Sequence, residues 1–199
     1  MNPDEIICII DRSGSMGAIT SDAIGGFNSF LSNTKKHDEN GLFTLILFDH
    51  EYDIIHHSRP LEEIEPLNDQ TYQPRGTTAL HDAVGITLTK ALASFKGKDA
   101  SVKPSGVTVA ILTDGLENAS KQFDSKQVAA LIDEAREQHG WEFVFLAANQ
   151  DAVLAASELH IPAADAVNFD ASKEGVHLAM HDMSAFVSER RKFQKGQQA

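Results

Sequence analysis

The chain has 199 residues, of which 29 are acidic and 17 are basic, so its formal net charge at pH 7 is -12. A protein face that binds nucleic acids broadly, or that docks on an anionic membrane, needs clustered Lys and Arg side chains. The acidic balance argues against both kinds of face. The length and the 42% hydrophobic fraction suit one domain over residues 1–193, followed by a polar tail over residues 194–199.

Cysteine use and targeting signals bear on the compartment. Cys8 is the single cysteine and lies within an apolar run, which predicts a buried, inert thiol. Residues 1–5 are polar and acidic, unlike a signal peptide. No apolar run approaches the roughly 20 residues that a membrane-spanning helix needs. We therefore expect a cytoplasmic protein.

Apolar runs and helical periodicity divide the first half of the chain into alternating strands and amphipathic helices. In chain order the predicted elements are a strand at 4–10, a helix at 18–35, strands at 42–48 and 52–57 that form a hairpin, a surface loop at 60–76 and a helix at 79–95.

The second half continues the same alternation. Its predicted elements are a strand at 107–112, a helix at 124–138, a strand at 143–147, a short helix at 151–159 with Asp151 near its N-cap, an edge strand at 166–169 and a final helix at 172–192. This pattern predicts an α/β fold, doubly wound around a mostly parallel sheet with helices on both faces. Such sheets bind ligands outside the carboxyl ends of their strands, where the strand order reverses.

An oxygen-rich loop follows the first predicted strand. Asp11, Ser13 and Ser15 form an Asp-x-Ser-x-Ser pattern that brings one carboxylate and two hydroxyls into a tight turn. Hard oxygen donors of this kind suit Mg2+ better than a soft metal. A loop that leads into a helix N-cap would use the same residue types, so the pentapeptide alone leaves both interpretations open.

Two further oxygen-rich turns lie where ligands are expected. Thr77 and Thr78 stand just before the helix at 79–95, and Asp114 follows the strand at 107–112 in a Thr-Asp-Gly turn. The three turns together resemble the metal-ion-dependent adhesion site (MIDAS) of the von Willebrand factor type A (VWA) family. The resemblance covers roughly residues 4–190 and is to the small stand-alone bacterial or phage type.

The resemblance implies both a topology and a ligand set. The expected sheet has six strands in the order 3-2-1-4-5-6, with strand 3 antiparallel, which puts its switch point between strands one and four. The family's metal ligands correspond to Asp11, Ser13, Ser15, Thr78 and Asp114, with Thr77 as the alternative to Thr78. The expected ion is Mg2+, with Mn2+ or Ca2+ also possible.

We therefore predict a non-catalytic, metal-dependent protein-binding module. An Asp or Glu of a protein partner would fill the coordination position that the chain leaves open. Neither a nucleic acid nor a membrane is expected as partner, and the sequence leaves the oligomeric state open.

Other functions fit parts of the sequence. A Mg-dependent phosphohydrolase usually has a second acid two residues after the first, where this chain has Ser13, and Arg12 and Arg75 are the nearest cations for a phosphate. Nucleic-acid association through the metal is a second alternative. His177 and His181 have a spacing that can hold zinc on a helix, but no third ligand is evident.

Overall fold

A computed structural model gives the fold and describes the following residues: 2–37, 40–96, 99, 103–148, 152–170, 172, 174–175, 178–179, 181–187 and 189. Its strands are β1 (Glu5–Asp11), β2 (Leu42–Phe48), β3 (Tyr52–Pro60), β4 (Val107–Thr113), β5 (Glu142–Ala148) and β6 (Ala166–Phe169). Its α-helices are α1 (Thr20–His37), α2 (Leu80–Phe95), α3 (Ser125–His139) and α4 (Ala152–Glu158). Short 3-10 helices span Gly14–Ile19, Leu61–Glu63 and Ala163–Asp165.

The strands form one mixed sheet in the order β3-β2-β1-β4-β5-β6. β3 is antiparallel to β2, while the other neighbouring strands pair in parallel. This confirms the predicted fold class, strand order and hairpin. β1 and β4 are adjacent, so the order reverses between them and their carboxyl ends meet at one edge of the sheet.

The alternation of side chains along β1 divides the core into two layers. Ile6, Cys8 and Ile10 pack with α1 and with buried residues of the C-terminal helical segment. Ile7 and Ile9 pack on the opposite face with α2, α3 and α4. Every residue of β1 is buried, as expected for a central parallel strand covered on both faces.

The segment that the sequence predicted to be a surface loop is partly core. β3 continues to Pro60, and the chain then buries four apolar side chains within the 60–76 segment: Leu61, Ile64, Leu67 and Tyr72. The predicted loop is confirmed for most of the segment, but its buried side chains were missed because prolines and acids lie between them and dominate the composition. The segment therefore closes one layer of the core and leads to the turn that carries Thr78.

The boundaries of α1 to α4 differ from the predicted ones by two residues at most. The predicted helix at 18–35 corresponds to α1, Thr20–His37, and its first two residues belong to the preceding 3-10 helix over Gly14–Ile19. α3 begins after Asp124, whose side chain forms a capping box with Gln127. The predicted N-cap at Asp151 and the tail at 194–199 lie outside the described residues.

Two smaller predictions concern Cys8 and the final helix. Cys8 is buried, and burial raises the pKa of its thiol well above the usual range. Described residues between 174 and 189 are helical, within the predicted span of 172–192. No helix in the described part of the chain is long and apolar enough to cross a membrane.

Candidate metal centre

Three loops converge at the carboxyl ends of β1 and β4. The first begins at Asp11, the last residue of β1, and carries Ser13 and Ser15. The second precedes α2 and carries Thr78, and the third follows β4 and carries Asp114. Parallel pairing of β1 with β4 brings the first and third loops together. The five predicted site residues therefore come from parts of the chain that only the sheet topology joins.

Asp11 is the innermost of these residues and is 0% exposed. Its Oδ1 accepts a hydrogen bond of 2.6 Å from the Ser13 N–H, and its Oδ2 accepts one of 2.7 Å from the Thr113 hydroxyl. Its main-chain oxygen accepts a hydrogen bond of 2.5 Å from the hydroxyl of Tyr72, which is itself buried. The carboxylate is thus held in one orientation from two sides.

A chain of short contacts links the hydroxyls to the second acid. The hydroxyl oxygens of Ser13 and Ser15 are 3.1 Å apart, and Ser15 donates a hydrogen bond of 2.6 Å to Asp114 Oδ1. A Cβ built on Gly115 would lie 3.4 Å from both the Ser15 Oγ and the Thr78 Oγ1. The hydroxyl of Thr78 therefore lies beside the same group.

Solvent exposure differs between Thr78 and two other predicted or alternative ligands, Thr77 and Ser15. Thr78 is buried, whereas Thr77 is exposed. Ser15 is also exposed, so the cluster opens to solvent on its side. Geometry thus favours Thr78 over Thr77 as a member of the cluster, and it leaves a route for a ligand from outside.

The two acids of the cluster have no cationic partner among the described residues. Burial raises the pKa of Asp11 from 3.8 to about 6. The hydrogen bonds from Thr113 and Ser13 lower this pKa in part, whereas the negative charge of Asp114 raises it. Burial also raises the pKa of Asp114, against its hydrogen bond from Ser15. Two buried carboxylates close together are electrostatically unfavourable unless a cation joins them. Two carboxylates and three hydroxyls fit a hard divalent cation. Hydroxyls make up most of this set, and the described His, Cys, Asp and Glu side chains alone form no group of three that could hold a metal.

A reciprocal pair of hydrogen bonds fixes Thr78 to the loop after β4. The Thr78 N–H donates to Asn118 Oδ1 at 3.0 Å, and the Asn118 N–H donates to the Thr78 carbonyl at 3.0 Å. The Ala119 N–H also donates to that carbonyl, at 3.2 Å. Thr78 is therefore positioned by the loop that carries Asp114.

Two acids strengthen this link between the loops. The Glu117 carboxylate accepts hydrogen bonds from the N–H groups of His81, Ala119 and Ser120 and from the Ser120 hydroxyl. Asp82, in the first turn of α2, accepts hydrogen bonds from three successive N–H groups at residues 121–123. These hydrogen bonds join helix α2 to the loop that follows β4.

A third acid, Asp49, directly follows β2 and lies outside the cluster; it is 0% exposed. Its Oδ2 accepts hydrogen bonds of 2.9 Å from Arg12 Nε and 3.0 Å from Arg75 Nε. Burial raises the pKa of Asp49, but the hydrogen bonds from Arg75 and from the Glu51 N–H, with the charges of both arginines, hold it below its usual value. Arg12 also pairs with Asp53, and Arg75 with Glu51.

These ion pairs bear on the alternative of phosphate chemistry. Arg12 and Arg75 were the nearest candidate cations for a phosphate, and both guanidinium groups are already engaged by carboxylates. Sequence reasoning missed Asp49 as a partner for them. The only signal was its position directly after the apolar strand β2, which resembles the position of Asp11 at the end of β1.

The sequence-predicted histidine pair is not brought together in the described part of the chain. His177 lies outside the described residues. His181 is exposed, and its Nδ1 lies 3.7 Å from Asp182 Oδ1. Nothing described around His181 adds a third ligand to this pair.

Structural comparison identifies the fold. Proximal thread matrix protein 1 from the mussel byssus, in a structure with a zinc-occupied MIDAS motif, matches with a TM-score of 0.64 at 12% identity over 94% of this chain and 48% of that chain. The domain from the pilus tip protein Mfa5 of Porphyromonas gingivalis, described as a vWF domain, matches with a TM-score of 0.62 at 12% identity over 94% of this chain and 95% of that one. This chain has the VWA fold.

Other matches with this VWA fold come from larger proteins. The pilus adhesin SpaC from Lactobacillus rhamnosus GG matches with a TM-score of 0.65 at 13% identity, over 96% of this chain and 30% of that chain. The chain thus spans about half the length of the mussel protein and less than a third of SpaC. No protein-family model and no curated protein matches the sequence.

Proposed function

We propose that the chain is a metal-dependent protein-binding module whose MIDAS holds Mg2+, with Mn2+ or Ca2+ as alternatives. Asp11, Ser13, Ser15, Thr78 and Asp114 supply the oxygen ligands, directly or through water. The observation that carries the proposal is the hydrogen bond of 2.6 Å between Ser15 and Asp114, which joins the motif loops across 99 residues of sequence. When bound, the ion offers an open position to a carboxylate from a protein partner.

The electrostatics of the cluster support this proposal. Asp11 and Asp114 are buried together, and none of the described salt bridges gives either one a cationic partner. A divalent ion would offset their mutual repulsion. Because three of the five proposed ligands are neutral hydroxyls, the ion would keep enough positive charge to attract a further carboxylate. The zinc-occupied MIDAS of the mussel protein with the same fold is consistent with a metal in this position.

We further propose that the module is not an enzyme and acts in the cytoplasm. Among the described residues, the two arginines nearest to the cluster are held in ion pairs with Asp49, Asp53 and Glu51, so they are not free to receive a phosphate. The net charge of -12 opposes association with nucleic acids.

A thermal or urea melt with and without Mg2+ tests the metal site. Metal that binds only the folded state stabilises it by about 2.7 kcal/mol at a hundredfold excess over Kd. We expect Asp114→Asn to lose this stabilisation while unfolding normally in EDTA, because Asn can still accept the hydrogen bond from Ser15. Asp69→Asn removes the same charge from an exposed acid in the 60–76 segment and should respond to Mg2+ like the wild type. An equal response in Asp114→Asn and wild type would refute the ligand assignment.

Recognition of a partner is tested separately. Binding should disappear in EDTA, return with Mg2+ or Mn2+, and be lost when one acidic residue of the partner becomes Ala. It should depend only weakly on moderate NaCl, because screening at 0.15 M salt acts over about 8 Å while the carboxylate contacts the ion directly. A partner that binds equally well in EDTA would contradict this mechanism.

A further inference from the structure

The turn that follows Asp114 presents a large apolar side chain to solvent. Leu116 is 69% exposed, the highest value among the large hydrophobic residues of the described chain. A single exposed leucine carries little meaning by itself, since isolated apolar residues are common on protein surfaces. Leu116 differs from the others in its position and in how its backbone is held.

Its position is beside the hydroxyls of the metal centre. Gly115, the preceding residue, lies between Ser15 and Thr78, with 3.4 Å from its Cβ position to each hydroxyl oxygen. The Cα of Leu116 is one peptide unit, about 3.8 Å, further along the chain. An exposed leucine thus borders the place where a partner's carboxylate would enter.

Residues on both sides of Leu116 are held by hydrogen bonds to neighbouring loops. Asp114, two residues before, accepts the hydrogen bond from Ser15. Glu117 and Asn118, the next two residues, tie the turn to His81 and Thr78. An apolar side chain on such a fixed turn can contact a partner without first losing backbone freedom, which favours tight binding.

The exposed residues of the two site loops that face Leu116's turn are small and uncharged. Exposed positions of the other two site loops carry Gly14, Ser15, Gly17, Ala18, Gly76 and Thr77. Within residues 13–18, 76–79 and 114–120 the only charged side chains are Asp114 and Glu117, and both accept hydrogen bonds. Arg75 borders this rim but is paired with Asp49 and Glu51, and the net charge of -12 repels a polyacidic segment.

We infer that Leu116 is a specificity contact for a protein segment that carries an apolar side chain close to its metal-binding Asp or Glu. This rests on the proposed function, because the partner's carboxylate is what brings the segment to the site. In an extended segment, residues two apart are about 7 Å from each other, so the apolar side chain should lie within about two residues of the acid. Strings of acids without an apolar neighbour should bind poorly.

Panning a random peptide display library on the wild-type protein in Mg2+, with elution by EDTA, tests the inference. Eluted peptides should be enriched in Leu, Ile, Val, Met or Phe within about two positions of an Asp or Glu. A peptide selected in this way should bind Leu116→Asn about tenfold more weakly than wild type, as measured by fluorescence anisotropy. Leu178→Asn is the matched control: Leu178 is 63% exposed on the C-terminal helical segment, and this variant should bind the peptide like wild type.

Calorimetric Mg2+ titrations of the three proteins separate the two levels of the proposal. Equal Mg2+ affinity with weaker peptide binding by Leu116→Asn alone supports a specificity contact. Unchanged peptide binding by Leu116→Asn, weaker Mg2+ binding by it, or eluted peptides without apolar enrichment would each overturn the inference while the proposed function stands. A wild-type protein that binds no Mg2+ would overturn the proposed function and this inference with it.

Discussion

Asp11 and Asp49 lie at the carboxyl ends of the neighbouring parallel strands β1 and β2: Asp11 pairs with Phe48, the residue before Asp49, and both acids are fully buried. Asp49 is paired with two arginines, and its pKa lies below the usual value. Burial raises the pKa of Asp11, which has no cation beside it among the described ion pairs. The same residue type in neighbouring positions therefore has opposite surroundings: one carboxylate is satisfied within the chain, while the other is suited to a cation from solution.

The largest expected effect comes from removing the satisfied acid. Asp49→Ala takes the shared carboxylate from Arg12, which is nearly fully buried, and should lower the free energy of unfolding by about 3–5 kcal/mol. Urea unfolding in EDTA at pH 7 measures this. Asp53→Ala is the control, since Asp53 also pairs with Arg12 but is about half exposed, and it should lose about 1 kcal/mol or less. Equal losses would mean that the buried pair has no special role.

The pH dependence of stability should differ in sign for the two acids. Because the folded-state pKa of Asp11 is raised from 3.8 to about 6, its contribution to metal-free stability is fully present below pH 3.8 and is lost as pH rises through about 6. The lowered pKa of Asp49 has the opposite consequence: its contribution is present above 3.8 and is lost on acidification below that value.

Asp11→Asn isolates the first of these effects. Relative to wild type, the variant should gain up to about 3 kcal/mol in EDTA as pH rises from 4 to 7, at roughly 1.4 kcal/mol per pKa unit. Urea unfolding at several pH values measures the difference, from which the contribution of Asp49 cancels. A difference that does not change with pH would show that Asp11 titrates normally in the folded protein.

A smaller effect is expected from the residue that positions Thr78. Asn118→Leu removes the acceptor for the Thr78 N–H and should weaken Mg2+ binding about tenfold, as outer-shell substitutions commonly do. Asn118→Asp keeps an acceptor oxygen of the same size and should retain the affinity. Calorimetric titration with Mg2+ distinguishes the two variants, and equal weakening in both would refute the positioning role.

The smallest effect is expected from removing the hydrogen bond between the Tyr72 hydroxyl and the main-chain oxygen of Asp11. Tyr72→Phe removes the hydroxyl that donates to the Asp11 main-chain oxygen and should cost about 1 kcal/mol of stability. Tyr52→Phe removes a hydroxyl that contacts Thr87 instead, away from the cluster. Urea unfolding gives the stability of both variants. Only Tyr72→Phe should also alter the Mg2+ affinity; a change in both would argue against a specific link to Asp11.

The sequence predicted the sheet and the motif loops because their signals are local. Apolar runs marked most of the strands, a tight turn marked the β2–β3 hairpin, and three short oxygen-rich turns marked the loops that the sheet topology later brings together. Asp11 and Asp114 were recognisable from their positions at the carboxyl ends of β1 and β4. The VWA resemblance supplied the strand order that periodicity alone could not give.

The parts that the sequence did not predict depend on long-range contacts. Asp49 meets Arg12 across 37 residues, Asn118 meets Thr78 across 40, and Tyr72 meets Asp11 across 61. No local pattern distinguishes these residues from ordinary loop residues, because their roles exist only once the strands have paired. Tyr72 was missed for a further reason, since the prolines and acids around it suggested a surface loop.

The hydrogen bond between Ser15 and Asp114 also has a consequence for the order of events during protein synthesis. When β1, α1 and the β2–β3 hairpin have emerged from the ribosome, the nascent chain presents Asp11, Ser13 and Ser15 but not yet Asp114. The fourth strand must emerge and insert beside the first before the two carboxylates meet. With the proposed metal site, we therefore expect a divalent ion to stabilise the chain only after β4 has inserted beside β1, and translation products that end before β4 should not bind Mg2+.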